Sequence, residues 1–247
     1  MTLDVVATGS TGNAYILTAG KDKLLLDCGV RYKEILYDLG HDTKSVVGCL
    51  VTHEHNDHTQ ALYSTIRAGI DCYMTAGTAE AKDVSEGHRV HIVKATQAYD
   101  IGRFTIYPFE TEHDAAEPVG YLISYQPTGE KLLYATDTFY LRYSFKGIHY
   151  MAVECNYCRG VAHTRYVNGE INKAMYDRLM TSHFSLDNLM DWLKASDLST
   201  TRHIVLLHMS AGNSDERKMV RDVHKLTGIP TTAASSGIRI ELNLHPF

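Results

Sequence analysis

Apolar residues fall along this chain in short blocks, and the spacing within the blocks alternates between strand-like and helix-like. Leu3 to Ala7, Ala14 to Thr18 and Leu24-Leu25-Leu26 read as strands, separated by the tight turn Gly9-Ser10-Thr11-Gly12-Asn13 and a hairpin at Lys21-Asp22. Tyr32 to Leu39 has helical spacing and stops at Gly40. Val46 to Val51 is a further strand. Thr59 to Arg67 is a predicted helix with Ala61, Leu62, Thr65 and Ile66 on one side, and Asp71 to Met74 is a short strand. The middle is strand-rich: Arg89 to Lys94, Phe104 to Phe109, Val119 to Tyr125, Lys131 to Ala135 and His149 to Val153 are β-branched or aromatic blocks bounded by turn residues. Helices return late. Ser185 is the expected N-cap of a helix carrying Leu186, Leu189, Met190 and Leu193; Ser214 precedes Met219, Val220, Val223 and Leu226. Ile204 to Leu207 lies between them as a buried strand, and Ile238 to Leu242 is a last strand. Strands followed by helix, twice over, fit a two-sheet sandwich with helices outside better than a doubly wound parallel sheet.

The polar residues that interrupt this pattern are not ordinary loop residues. Val51-Thr52-His53-Glu54-His55-Asn56-Asp57-His58 puts three histidines and an aspartate where a strand ends and a helix begins, the place where open α/β sheets bind ligands. Side chains at i and i+2 of an extended turn can converge on one ion, and Asp57 with His58 can face a second. Imidazole and carboxylate without thiolate suit zinc, manganese or iron. Other ligand-type side chains also end apolar runs: Asp27 after Leu26, His113 beyond Phe109, Asp137 beyond Ala135, and His208 after Leu207, while His183 precedes the Ser185 helix. Each one alone reads as a cap or turn residue. Together with the cluster they point to one shared sheet edge.

Composition narrows the classes. The 247 residues are 44% hydrophobic and 21% charged with a net charge of −5, so a sizeable core is available and no global basic field draws in nucleic acid. No basic segment followed by a long apolar run opens the chain and no stretch is long and apolar enough for a span, so neither a signal peptide nor a membrane anchor is expected. Five scattered cysteines, an odd number, argue against a disulfide framework and for a reducing cytoplasm. Cys155-Asn156-Tyr157-Cys158 is a lone pair and a weak zinc signal. The 16 tyrosines read mostly as core and surface residues, although Tyr140, Tyr143, Tyr150, Tyr157 and Tyr166 fall between Asp137 and His183 and tyrosine rings can stack on bases. His41, His88, His91, His149, His163, His203, His224 and His245 match no motif and read as surface or hydrogen-bonded residues.

His53-x-His55-x-Asp57-His58, with Asp27, His113, Asp137 and His208, resembles the motif set of the metallo-β-lactamase fold superfamily across residues 27 to 208. Ala7-Thr8-Gly9-Ser10-Thr11-Gly12-Asn13, Glu154-Cys155-Asn156-Tyr157, Ser182-His183-Phe184-Ser185 and His208-Met209-Ser210 resemble stretches of its YycJ/WalJ-like exonuclease branch, with Thr8, Cys155, Tyr157 and Ser182 as departures. The resemblance implies an α/β fold, a four-layer αββα sandwich of the metallo-β-lactamase type, in a single domain over residues 1–247. Asp137 and His183 lie too close in sequence to admit a β-CASP insertion.

It also implies two divalent metal ions, zinc or manganese with iron as an alternative. His53, His55 and His113 would hold one, Asp57, His58 and His208 the other, and Asp137 would bridge; Asp27 would orient a ligand histidine. The expected activity is phosphodiester hydrolysis by metal-activated water, on DNA rather than RNA and from the 5′ end, with Asp57 and His183 catalytic and Ser10, Asn13 and His183 contacting substrate. Two divalent cations against Asp57 and Asp137 leave a local charge of about +2, which would attract an anionic substrate to an acidic protein. A phosphodiesterase for small or cyclic nucleotides and a thioester or lactone hydrolase are the alternatives; the sequence reveals no apolar acyl pocket for the last.

Overall fold

The structure, a computed structural model, describes residues 1–243; His245 lies outside them. The chain forms two compact units. One comprises Met1–Glu110, Ala115–Glu130 and the described residues of Ser235–Phe247; the other comprises Thr111–Asp114 and Lys131–Ala234.

In the first unit, β1 (Thr2–Ala7), β2 (Ala14–Ala19) and β3 (Asp22–Leu26) form an antiparallel meander. Helix α1 (Tyr32–Asp38) then leads to β4 (Val46–Leu50), and the short helices α2 (Asn56–Thr59) and α3 (Leu62–Arg67) to β5 (Cys72–Met74). Helix α4 (Ala76–Ala81) precedes β6 (Val90–Ile92). From β3 to β6 the pairing is parallel, so the ends of β3 and β4 share an edge, with Leu26 beside Leu50. Ile16, Leu25, Cys49 and Cys72 pack in one apolar cluster with Ile35 and Leu39 at α1 and Leu62 of α3. An antiparallel strip of β7 (Tyr99–Ile101), β8 (Phe104–Glu110) and β9 (Val119–Tyr125) also belongs to this unit.

The second unit is built on four parallel strands in the order β10 (Glu130–Ala135), β11 (Tyr150–Glu154), β12 (His203–Leu207) and β13 (Thr231–Ala233). Its central strand, β11, is buried throughout, as a parallel strand covered on both faces must be. Helices α5 (Arg159–Val167), α6 (Lys173–Ser182) and α7 (Leu186–Ala195) follow β11, and α8 (Glu216–Thr227) follows β12. Ser185 caps α7 by accepting from the Asn188 N–H (3.1 Å), and the helix buries Leu186, Leu189, Trp192 and Leu193. The chain returns to the first unit as β14 (Arg239–Glu241), where Ile240 pairs with Leu3.

Three expectations shift. The helix predicted over Thr59 to Arg67 is two pieces, because the Ala61 N–H leaves the helical ladder to donate to the Cys28 carbonyl (2.8 Å). The cap of α8 is Asp215, which accepts from the Lys218 N–H; the Ser214 hydroxyl instead donates to the Ser210 carbonyl. Helices α5 and α6 went unpredicted because they bury only Ala162 and Ser182, leaving no apolar stripe to read.

Candidate metal centre

At the edge of the first unit, β3 ends at Leu26 and the next residue, Asp27, takes a left-handed φ of 58°. That turn is sparsely populated outside glycine, asparagine and aspartate. It sends the carboxylate under the residues that follow β4. One oxygen, Oδ1, accepts from the Thr52 N–H (2.8 Å); the other, Oδ2, lies 2.9 Å from His58 Nδ1, and Asp27 and His58 are fully buried. The Thr52 hydroxyl is 3.0 Å from both Asp27 oxygens and from His53 Nδ1. With Asp27 ionised, one proton arrangement satisfies every group: His58 Nδ1–H donates to Asp27, His53 Nδ1–H donates to Thr52, and Thr52 donates to Asp27. Both imidazoles then present Nε2 as the ligand atom.

The cluster is tight. The His53 ring lies 4.7 Å from His55 and 4.2 Å from His58, and His58 Nε2 is 3.7 Å from Asp57 Oδ2. Backbone bonds clamp it: Asn13 N–H donates to Asp57 O (2.7 Å), Cys28 N–H to His58 O (2.9 Å) and Gly29 N–H to Asn13 O (2.8 Å). Gly29 is required by this approach, since a Cβ there would sit 1.6 Å from the Asp57 carbonyl oxygen. Asn13 is buried, its amide donating to Gly9 O (3.0 Å) and lying 3.1 Å from His58 Nε2, while Ser10 is exposed in the same turn.

At the edge of the second unit, Asp137 and His208 follow β10 and β12, the strands on either side of β11, and also adopt left-handed φ values, 47° and 52°. Between them, at the end of β11, stands Glu154, fully buried. Its Oε1 is 2.7 Å from His183 Nδ1 and 3.2 Å from His208 Nδ1; its Oε2 accepts from the backbone N–H of Thr138 (2.9 Å) and Phe184 (3.1 Å). Asp137 Oδ1 lies 3.5 Å from His183 Nδ1 and 3.6 Å from His208 Nε2. His113 places Nδ1 3.0 Å from the Ser182 carbonyl and its ring 5.5 Å from that of His183. The Asn156 amide donates to the His208 carbonyl (2.8 Å) and lies 2.9 Å from its Nδ1.

The electrostatics follow from burial and pairing. Burial alone would push Glu154 up, but the charge of His183 and hydrogen bonds from His183 and His208 hold it below the usual carboxylate range. Burial alone would push His183 down; Glu154, by charge and hydrogen bond, and Asp137 more than offset this and raise it. His113 goes the other way, held down by burial against the pull of Asp137, which favours the neutral imidazole a metal requires.

Each unit thus gathers its own share of the sequence-predicted residues: Asp27, His53, His55, Asp57, His58 and Asn13 in the first, His113, Asp137, His183 and His208 in the second. Asp137, Glu154, His183 and His208 each offer a ligand atom within 4.8 Å of the others. These imidazole and carboxylate donors, several already held at Nδ1, fit a divalent cation such as zinc or manganese. The sequence pattern alone marks no role for Glu154, Thr52 or Asn156. The signal for Glu154 was a lone acid between apolar Val153 and Cys155.

A family profile, anti-Pycsar protein Apyc1, matches residues 5–69. Among solved structures, the metallo-β-lactamase fold protein YhfI from Bacillus subtilis aligns with a TM-score of 0.72 over 97% of this chain and 98% of its own, at 14% identity. The fold is therefore the αββα sandwich of the metallo-β-lactamase type that the motifs imply. The sequence relatives are narrower. Exodeoxyribonuclease YycJ of Bacillus anthracis is 30% identical over 224 residues, 85% of this chain and 83% of that protein. Exodeoxyribonuclease WalJ of Streptococcus pneumoniae serotype 2 is 29% identical over 154 residues, a match covering 58% of this chain and 56% of WalJ, so the match spans about half of WalJ's length. This chain belongs to the YycJ/WalJ family.

Proposed function

We propose that the protein is a metal-dependent phosphodiesterase acting on nucleic acid, a 5′-to-3′ exonuclease on DNA, and that it works as one metallo-β-lactamase-fold domain without a β-CASP insertion. The observation that carries this is the paired construction of the two clusters: each has a fully buried carboxylate, Asp27 or Glu154, fixing histidines through Nδ1. His53, His55, Asp57, His58, His113, Asp137 and His208 are the residues that would hold the metal ions. Divalent cations bound by these residues supply Lewis acidity, which brings the pKa of water toward roughly 7 and offsets charge on phosphoryl oxygens.

The chain's own residues do the rest. Asp27 and Thr52 hold His58 and His53 in one tautomer. Glu154 keeps a proton on His183 Nδ1 and turns Nε2 toward substrate; the raised affinity of His183 for protons suits it to donate one from Nε2 to the leaving oxygen. Ser10 offers its hydroxyl from the exposed turn that Asn13 supports from beneath. Five free cysteines among the described residues support a reducing, cytoplasmic setting, and no helix among them is long and apolar enough to cross a membrane.

The test is a metal-screened panel of 5′-phosphorylated linear DNA, linear RNA, a cyclic dinucleotide and a thioester, with Asp57→Ala as control. Processive loss of DNA from the 5′ end is expected; DNA and RNA left intact with Mn²⁺ and Zn²⁺ overturns the reading. The net charge of −5 favours a second reading, a small-molecule phosphodiesterase, which turns over the cyclic substrate and spares polymers.

A further inference from the structure

In the second unit the aromatic side chains of Tyr134, Tyr150, Tyr157 and Phe184 are sealed in the core. Phe139 and Tyr140 depart from this. They are consecutive, 37% and 45% exposed, and begin two residues after Asp137. An exposed aromatic pair on a loose loop would mean little, but this loop is fastened at every step. Thr138 N–H donates to Glu154, Phe139 N–H to the Glu112 carbonyl (2.8 Å), and the Thr138 hydroxyl to the Tyr140 carbonyl (2.7 Å). Leu141 is buried as an anchor, and Trp192 of α7 donates to the Tyr143 carbonyl (3.2 Å). Two partly exposed rings are therefore held by a backbone that is tied to the same glutamate that positions His183 and His208.

Two arginines neighbour the pair. Arg142, two residues on, is 71% exposed and pairs with Glu112 (2.6 Å). Arg159 donates to Asn188, whose amide reaches the Phe139 carbonyl (3.4 Å). Arg159 also pairs with Asp187 (3.7 Å), yet both guanidinium groups stay more than half exposed and free to exchange these surface carboxylates for an anionic ligand. Rings for bases and guanidinium groups for phosphates are the two elements with which proteins grip a single strand without reading its sequence.

We propose that Phe139 and Tyr140 form a stacking platform for unpaired bases of single-stranded DNA, with Arg142 and Arg159 contacting the adjoining phosphates. This rests on the nucleic-acid reading above and names how the substrate is held. The platform grips any base through its π-face, so sequence preference should be weak while preference for bases over bare backbone should be strong.

The test compares equilibrium binding of two phosphorothioate-linked, fluorescently labelled single strands of equal length, one with bases and one abasic throughout. The wild-type protein should bind the base-bearing strand at least about tenfold tighter. Phe139→Ala/Tyr140→Ala should bring that ratio to within about twofold, and Phe139→Tyr/Tyr140→Phe, which keeps both rings, should restore it. An unchanged ratio in the double alanine variant, or no preference in the wild type, overturns the platform. Turnover of bis(p-nitrophenyl) phosphate, measured on the same wild-type preparation, reports separately on the chemistry. Base preference lost in the alanine variant without any such turnover supports the platform while overturning the phosphodiesterase reading.

Discussion

Glu154 Oε1 lies 2.7 Å from His183 Nδ1, and the same oxygen is 3.2 Å from His208 Nδ1. A single buried carboxylate thus sets the orientation of two histidines that follow different elements, while its other oxygen is satisfied by two backbone N–H groups. Four contacts on one side chain explain how a charge tolerates full burial, which would otherwise be prohibitive.

Glu154→Gln keeps the shape but puts an amide where one carboxylate oxygen stood, so an acceptor is lost to His183 or to the backbone. Hydrolysis of bis(p-nitrophenyl) phosphate should fall about 10–100-fold, the range found when partners of metal-ligating histidines are removed. The ¹⁵N imidazole signals of His183 and His208 should shift with it, a change that general destabilisation would not produce.

Asp27→Asn addresses the matching contact in the first unit. Asparagine tolerates the left-handed backbone at position 27 but accepts through only one oxygen, whereas Asp27 serves Thr52 and His58 through two. Zinc affinity, measured by competition with a chelator, should weaken about 10–100-fold, with the far-ultraviolet circular dichroism spectrum retained.

Gly29 and Gly228 separate two kinds of glycine. A methyl at 29 would meet the Asp57 carbonyl oxygen at 1.6 Å, so Gly29→Ala should cost at least about 3 kcal/mol in urea unfolding or abolish folding. At Gly228, φ is 70° with open space around it, and alanine should cost only about 1 kcal/mol. Equal costs at the two positions would contradict the clamp between residues 13, 29 and 57.

Asp22 carries a pH dependence away from the candidate centre. Its carboxyl is held below the ordinary value chiefly by the hydrogen bond from Arg103 (2.8 Å). A folded-state pKa below the unfolded one adds stability above the unfolded pKa, near 3.8, and loses it as pH falls through the lowered value. Arg103→Gln should therefore lower stability at pH 7, and only slightly, because the Arg103 side chain is more than a third exposed and solvent screens the pair. The difference should fade in acid denaturation curves run below the unfolded pKa.

The sequence was legible where a local pattern carries the information. Val119 to Tyr125 reads as a strand from its β-branched and aromatic residues, and β9 has those bounds. The ligand-type residues stood out because each ends an apolar run, which is what a shared sheet edge looks like along one chain. Helices α5 and α6 were not legible, since their faces are almost wholly solvated. Glu154 lies within a family-like motif, but nothing in its sequence neighbourhood marks its task. Its role depends on β11 lying between β10 and β12, a long-range pairing that no window of sequence contains. The left-handed turns at Asp27, Asp137 and His208, which aim these side chains, are equally invisible in a chain of letters.

Metal stoichiometry is the most direct probe of the proposed centre. Protein equilibrated with Zn²⁺ or Mn²⁺ and desalted should carry two ions per chain by mass spectrometry, and Asp137→Ala, which removes the proposed bridging carboxylate, should carry one or none. Absence of bound metal in the wild type, or two ions retained in Asp137→Ala, would contradict a dinuclear centre built on these residues.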